Sequence, residues 1–143
     1  MKKLGASLFF AVALAACGGH KEYMRAEPVQ TADVNVTPMQ VWTGGGKLWV
    51  RVNVANASQG TLTVVRDAMT VHLGNGMSIG RSAGSTSTHN PYVIPPGASH
   101  AVYAEFEEQG FKWEDVPGVQ VDFTNAITKD GQAVAVPPLV VAR

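Results

Sequence analysis

The chain has 143 residues, with 11 lysines and arginines against 11 aspartates and glutamates, four histidines and one cysteine. That length holds one domain plus a short extra segment. The balanced charge, with no basic cluster, argues against nucleic acid as a partner and against binding to an anionic bilayer through charge alone.

Lys2 and Lys3 open the chain, and Leu4 to Ala16 follow without a charge. A basic start, an apolar run and small residues before a cut make a secretory signal. The run is too short to cross a bilayer, which takes roughly 20 apolar residues. It ends in Leu14-Ala15-Ala16-Cys17, a stretch that resembles the lipobox of bacterial lipoproteins. The resemblance implies that Leu14, Ala15 and Ala16 are read by the lipoprotein signal peptidase and that residues 1–16 are removed. Cys17 then carries a diacylglyceryl group as the first mature residue, and its new N-terminus is acylated. Each buried methylene contributes about 0.8 kcal/mol, so one acyl chain holds marginally and two or three hold firmly. Gly18 is not the aspartate that retains many such proteins at the inner membrane, so the resemblance points to the outer membrane. Acylation of Cys17 leaves no thiol, which removes disulfides, thiol catalysis and cysteine metal sites.

Residues 18–33 (GGHKEYMRAEPVQTAD) keep no period of two or 3.6 and are expected to form a flexible tether. Fully extended, such a tether reaches about 50 Å at 3.3 Å per residue. The domain is expected over residues 34–143. Met39 to Trp42 suggests a short strand, and Gly44-Gly45-Gly46 a turn. Lys47 to Ala55 alternates cleanly, with Leu48, Val50, Val52 and Val54 inward and Trp49, Arg51 and Asn53 outward. Thr61 to Val65 keeps even parity inward, whereas Met69, Val71 and Leu73 are odd. That change predicts a bulge or corner near Arg66-Asp67-Ala68.

Gly74-Asn75-Gly76 predicts a tight turn into a strand around Met77 to Arg81. Residues 82–91 (SAGSTSTHNP) predict the longest loop, and Pro95-Pro96-Gly97 a turn into a strand over 101–107. Phe111 to Asp115 reads as a helical turn or loop pinned by its aromatics. Val119, Val121, Phe123 and Ile127 share a parity and predict one strand. Asp130-Gly131 is a hairpin signal, with Ala133 to Val136 returning alongside. Leu139 to Val141 either extends that strand or adds a short edge.

Seven or eight antiparallel strands with turns between them predict an all-β fold, a β-sandwich. The VRVNVANAS strand, the later PPGASHAVYAEF and the final VDFTNAITKDGQ hairpin look like the small immunoglobulin-like domains of bacterial surface lipoproteins. This resemblance spans roughly residues 38–142. Such folds host many functions, so the fold alone carries little functional weight.

No catalytic apparatus appears. His20, His72, His89 and His100 lack short ligand spacings, so no metal or cofactor is expected. The hydroxyls of Ser85 to Thr88, next to His89, lack a GxSxG elbow and a held base. The carboxylates between Glu105 and Asp115 lack a calcium loop and are expected to form a solvated face. Trp49 and Tyr103 point away from the inferred core and, with His89 and Asn90 of the long loop, make the expected binding surface. The leading expectation is a non-enzymatic, lipid-anchored envelope protein, held in the membrane by Cys17 and meeting an envelope protein partner. The alternative is a small periplasmic metal or ligand carrier built on His89, His100 and nearby carboxylates.

Overall fold

The computed structural model describes residues 21–80 and 91–143. The stretch expected to be a flexible tether is, from Glu22 on, woven into the domain. Glu22–Tyr23 (β1) and Val29–Gln30 (β3) pair with the strand Val34–Gly44 (β4), while Arg25–Ala26 (β2) pairs with Val141–Ala142 on a different sheet. Between them Met24 is buried, and its N–H donates to the Val41 carbonyl at 2.9 Å. Each piece is two residues long and changes partner. No periodicity can build up over such lengths, and only the backbone pairing makes these residues strands.

β4 starts at Val34, well before the expected Met39. Val34 and Val36 are buried on even numbers and Val41 and Thr43 on odd ones. The register shifts between Pro38 and Gln40, which leaves Met39 as the extra residue of a β-bulge. Pro38, which has no N–H to give, sits at this irregularity, where the ladder is broken anyway. Gly45 and Gly46, with φ of 60° and 75°, make the two-residue turn into Lys47–Asn56 (β5). Positive φ at both central residues is the hairpin geometry that matches strand twist, and glycine adopts it without strain.

The predicted corner follows Leu62–Val64 (β6) as a 3-10 turn, Arg66–Ala68, leading into Thr70–Leu73 (β7) and then Ser78–Gly80 (β8). Residues 82–90 of the long loop lie outside the described residues; Tyr92–Ile94 beyond it is a strand (β9) that was not predicted. Ser99–Glu107 (β10) pairs with β5 along its whole length. Trp113–Asp115 is a 3-10 turn pinned, as expected, by an aromatic: buried Trp113 donates Nε1–H to the Phe106 carbonyl at 3.1 Å.

The single strand predicted over 119–127 is two. Gly118–Asp122 (β11) and Ile127–Lys129 (β12) join different sheets across a turn in which Asn125 has φ of 64°. Their shared parity is genuine, but the chain changes sheet between them. The Asp130-Gly131 hairpin forms, although its return is only Gln132–Ala133 (β13). Leu139–Ala142 (β14) is no edge: it lies between β2 and β11. Fourteen strand segments therefore occur among the described residues, against the seven or eight expected, because sheet changes and the N-terminal pieces divide the count.

The fold is all-β, with antiparallel pairing throughout the described sheets. One sheet runs β1-β4-β5-β10 with β3 also on β4, a second β2-β14-β11-β7-β8, and a third β13-β12-β6-β9. All three supply one hydrophobic core, including Leu48, Leu62, Phe106, Phe123, Ile127 and Leu139. This arrangement is consistent with a β-sandwich.

Asn56, only 2% exposed, ties the end of β5 to its neighbours. Its amide donates to the carbonyls of Gly60 and Ile94 at 2.8 and 2.9 Å, and its oxygen accepts from the Ser58 N–H at 2.9 Å. Removing such a side chain strands buried polar groups without water to replace it. Asn56→Ala is therefore expected to cost roughly 2–4 kcal/mol in urea unfolding, and Asn53→Ala on the outer face under about 1 kcal/mol.

Candidate functional site

The two-residue Gly45-Gly46 turn sets Trp42 directly opposite Trp49, and the neighbouring registers place Tyr23 opposite Trp42 and Glu105 opposite Trp49. Parity turns these side chains to the outer face of the first sheet. The Trp42 and Trp49 rings stack at 4.9 Å and 15°, and Tyr103 meets Trp49 at 5.6 Å, tilted by 42°. Lys21 places its Nζ 4.7 Å from the centre of the Trp42 ring, and Lys47 places its own 5.4 Å from that of Trp49. The ammoniums sit against the negative ring faces, an attraction worth about 0.5–1 kcal/mol each at a surface.

Carboxylates complete the row. Lys47 Nζ pairs with Glu105 at 3.2 Å and Glu107 at 3.7 Å. Burial, and then the adjacent Glu105 charge, push the Tyr103 phenol above its ordinary value, so it stays a neutral donor and acceptor. Trp42 has one face against Trp49 and an ammonium on its ring. What this surface offers a partner is therefore chiefly Tyr23, 61% exposed, and Tyr103, 39% exposed. A shallow notch of about 500 Å3 opens beside Tyr23 where the chain leaves β4 at the bulge, and Met39 and Gln40 help to line it.

Sequence reasoning placed Trp49 and Tyr103 on this face, and the structure brings them together. It passed over Trp42. The available signal was the turn itself, since a two-residue loop at 45–46 fixes 42 opposite 49. His89 and Asn90, the other expected binding residues, lie outside the described residues, as do Leu14, Ala15, Ala16, Cys17 and His20. His100 is engaged: its Nδ1–H donates to the Ala101 carbonyl at 2.7 Å and its ring lies 4.2 Å from that of Tyr92. Among the described residues no three His, Cys, Asp or Glu side chains converge as metal ligands. Nor is any described helix long and apolar enough to cross a membrane.

A second constellation was also missed. On the second sheet His72 Nδ1 is 2.7 Å from Ser78 Oγ, and its Nε2 is 3.0 Å from Asp122 Oδ2. These are the residue types of a serine hydrolase. Their placement is that of a cross-strand clamp, because His72 is the direct ladder partner of Ser78 and Asp122 stands diagonally across on β11. An oxyanion hole needs N–H groups aimed at a point beside the nucleophile. On a pleated sheet the amides lie in the sheet plane and side chains stand perpendicular to it, so they do not converge there. Only the order of strands in the fold, invisible in the linear pattern, brings residue 122 to residue 72.

No family model matches the chain, and no curated protein matches it. Solved structures do. A conserved hypothetical protein from Bacillus anthracis superimposes with a TM-score of 0.51 at 10% identity, covering 87% of this chain and 99% of its own. A functionally unknown protein from Listeria monocytogenes EGD-e superimposes with a TM-score of 0.51 at 14% identity, covering 85% and 87%. Similarity at these identities is one of fold.

The clamp gives a pH prediction. Hydrogen bonds from Thr124, whose N–H lies 2.8 Å from Oδ1, hold the Asp122 carboxyl below its ordinary value, with His72 adding to the effect. A folded value below the unfolded one adds stability above the unfolded pKa, and that stability is lost as pH falls through the folded value. Urea midpoints measured from neutral pH down to about pH 3 should fall less steeply for Asp122→Asn than for the parent chain. Parallel curves would contradict the assignment.

Proposed function

We propose that the chain is a lipid-anchored protein of the bacterial cell envelope, non-enzymatic, whose immunoglobulin-like β-sandwich meets an envelope protein partner. The observation that carries the reading is Leu14-Ala15-Ala16-Cys17, which stands behind a basic and apolar N-terminus and only five positions before β1. Under this reading Cys17 is acylated and residues 1–16 are removed, and with Gly18 next the protein goes to the outer membrane. Three antiparallel sheets around one core favour the sandwich, and the hairpin of β4 and β5 beside β10 suits an immunoglobulin-like arrangement. For recognition, Tyr103 supplies an amphipathic ring at low entropy cost, held on a rigid sheet by its contact with Trp49.

Cys17→Ser tests the anchor. The variant should remain uncleaved by the lipoprotein peptidase and carry no acyl label; unchanged processing and labelling would overturn the reading. A mild-detergent pull-down of the acylated protein then tests the surface. A stoichiometric partner lost in Tyr103→Ser supports the sheet face, and one lost only when residues 82–91 are shortened moves recognition to the loop.

A further inference from the structure

We propose that the domain does not stand clear of its membrane but is seated on the phospholipid headgroups by its Gly45-Gly46 hairpin end, with Tyr23, Trp42 and Trp49 at the lipid and Tyr103, farther from the turn, left to the protein partner. The inference rests on the anchor reading and adds where the folded chain begins. Lys21 is already docked on Trp42, Glu22 pairs with Thr43 and with Arg143, and Met24 is buried against Val41. Only Gly18, Gly19 and His20 separate Cys17 from Lys21. Four Cα-to-Cα steps span at most about 14 Å in any conformation. The headgroup layer alone takes about 5–7 Å of that. A tether of about 50 Å would let the domain diffuse freely above the bilayer; this link does not.

The link also selects the face. β1 runs antiparallel to β4 with Glu22 opposite Thr43, so Lys21 emerges beside Gly44 and the turn. Exposed Tyr23 and the two stacked tryptophans are at this end, and indole and phenol rings favour the headgroup level, where one end is apolar and the other wet. Lys21 and Lys47 hold their ammoniums against these rings, and Lys47 is also paired with Glu105 and Glu107. Charge is not the driving force. Glu22 is paired with Arg143, Glu105 and Glu107 with Lys47, and Glu108 with Lys112. Seating imposed by a short link should therefore hold on zwitterionic lipid and resist salt. The opposite end of β5, where the Gly97 N–H bonds the Asn56 carbonyl, then points away from the membrane.

The test uses the full chain, acylated in a bacterial host, checked by intact mass, and reconstituted in phosphatidylcholine vesicles. A nitroxide on the headgroup should reduce tryptophan emission more than one placed deep in the acyl chain, at low and high salt alike. Fifteen Gly/Ser residues inserted between Gly19 and His20, which raise the mean reach of the link from about 11 Å to about 24 Å, should restore most of the emission. Acylated, vesicle-bound protein whose emission ignores the headgroup nitroxide overturns the seating while leaving the anchor intact. Equal loss in the lengthened chain overturns the link as its cause. A chain without acyl mass that stays off the vesicles overturns the anchor reading, and the seating with it.

Discussion

The run from Glu22 to Gln30 pairs first with β4, then with β14, then with β4 again, and so laces two sheets together along their open side. Much else depends on that lacing. It covers the edge of β4 on either side of the bulge, it converts β14 from an edge into an inner strand, and it buries Met24 over the core. Unpaired edges are where β proteins associate wrongly, and a covering strand from the same chain removes the hazard. The chain's other end reinforces it. Arg143 pairs with Glu22 and donates to the carbonyls of Val116 and Trp113, so both termini of the domain close on the same region.

What was legible in the sequence was whatever lay within one uninterrupted strand or turn. The alternation of 47–55, the two glycine-led hairpins and the parity change before Met69 each encode their geometry locally, and each appears. What was not legible depended on partners distant along the chain. Two-residue strands carry no period, so the run after Lys21 read as tether. Phe123 and Ile127 continue the parity of Val121, yet the chain changes sheet between them. Leu139–Ala142 looks terminal until β2 is seen to cover it. The candidate surface divided in the same way: Trp49 and Tyr103 were marked by parity, whereas Trp42 needed the hairpin register, and the clamp of His72 needed the strand order.

The two side-chain constellations illustrate how chemistry follows from backbone placement. The same residue types that would make a hydrolase in a cleft make a clamp on a pleated face, where the ladder amides lie in the sheet plane. The aromatic row spends much of its ring surface on itself and on two lysines, and leaves two tyrosines to face outward. Each ties neighbouring strands of its own sheet together across the outer face.

The fold turns on residues 22–30 belonging to the domain. Amide hydrogen exchange on the full chain tests that most directly, because the Met24 N–H is bonded to the Val41 carbonyl. Met24 should be protected by orders of magnitude over an unstructured peptide, close to the amides of β5. Exchange of Met24 at the unstructured rate, with Val50 still protected, would contradict it.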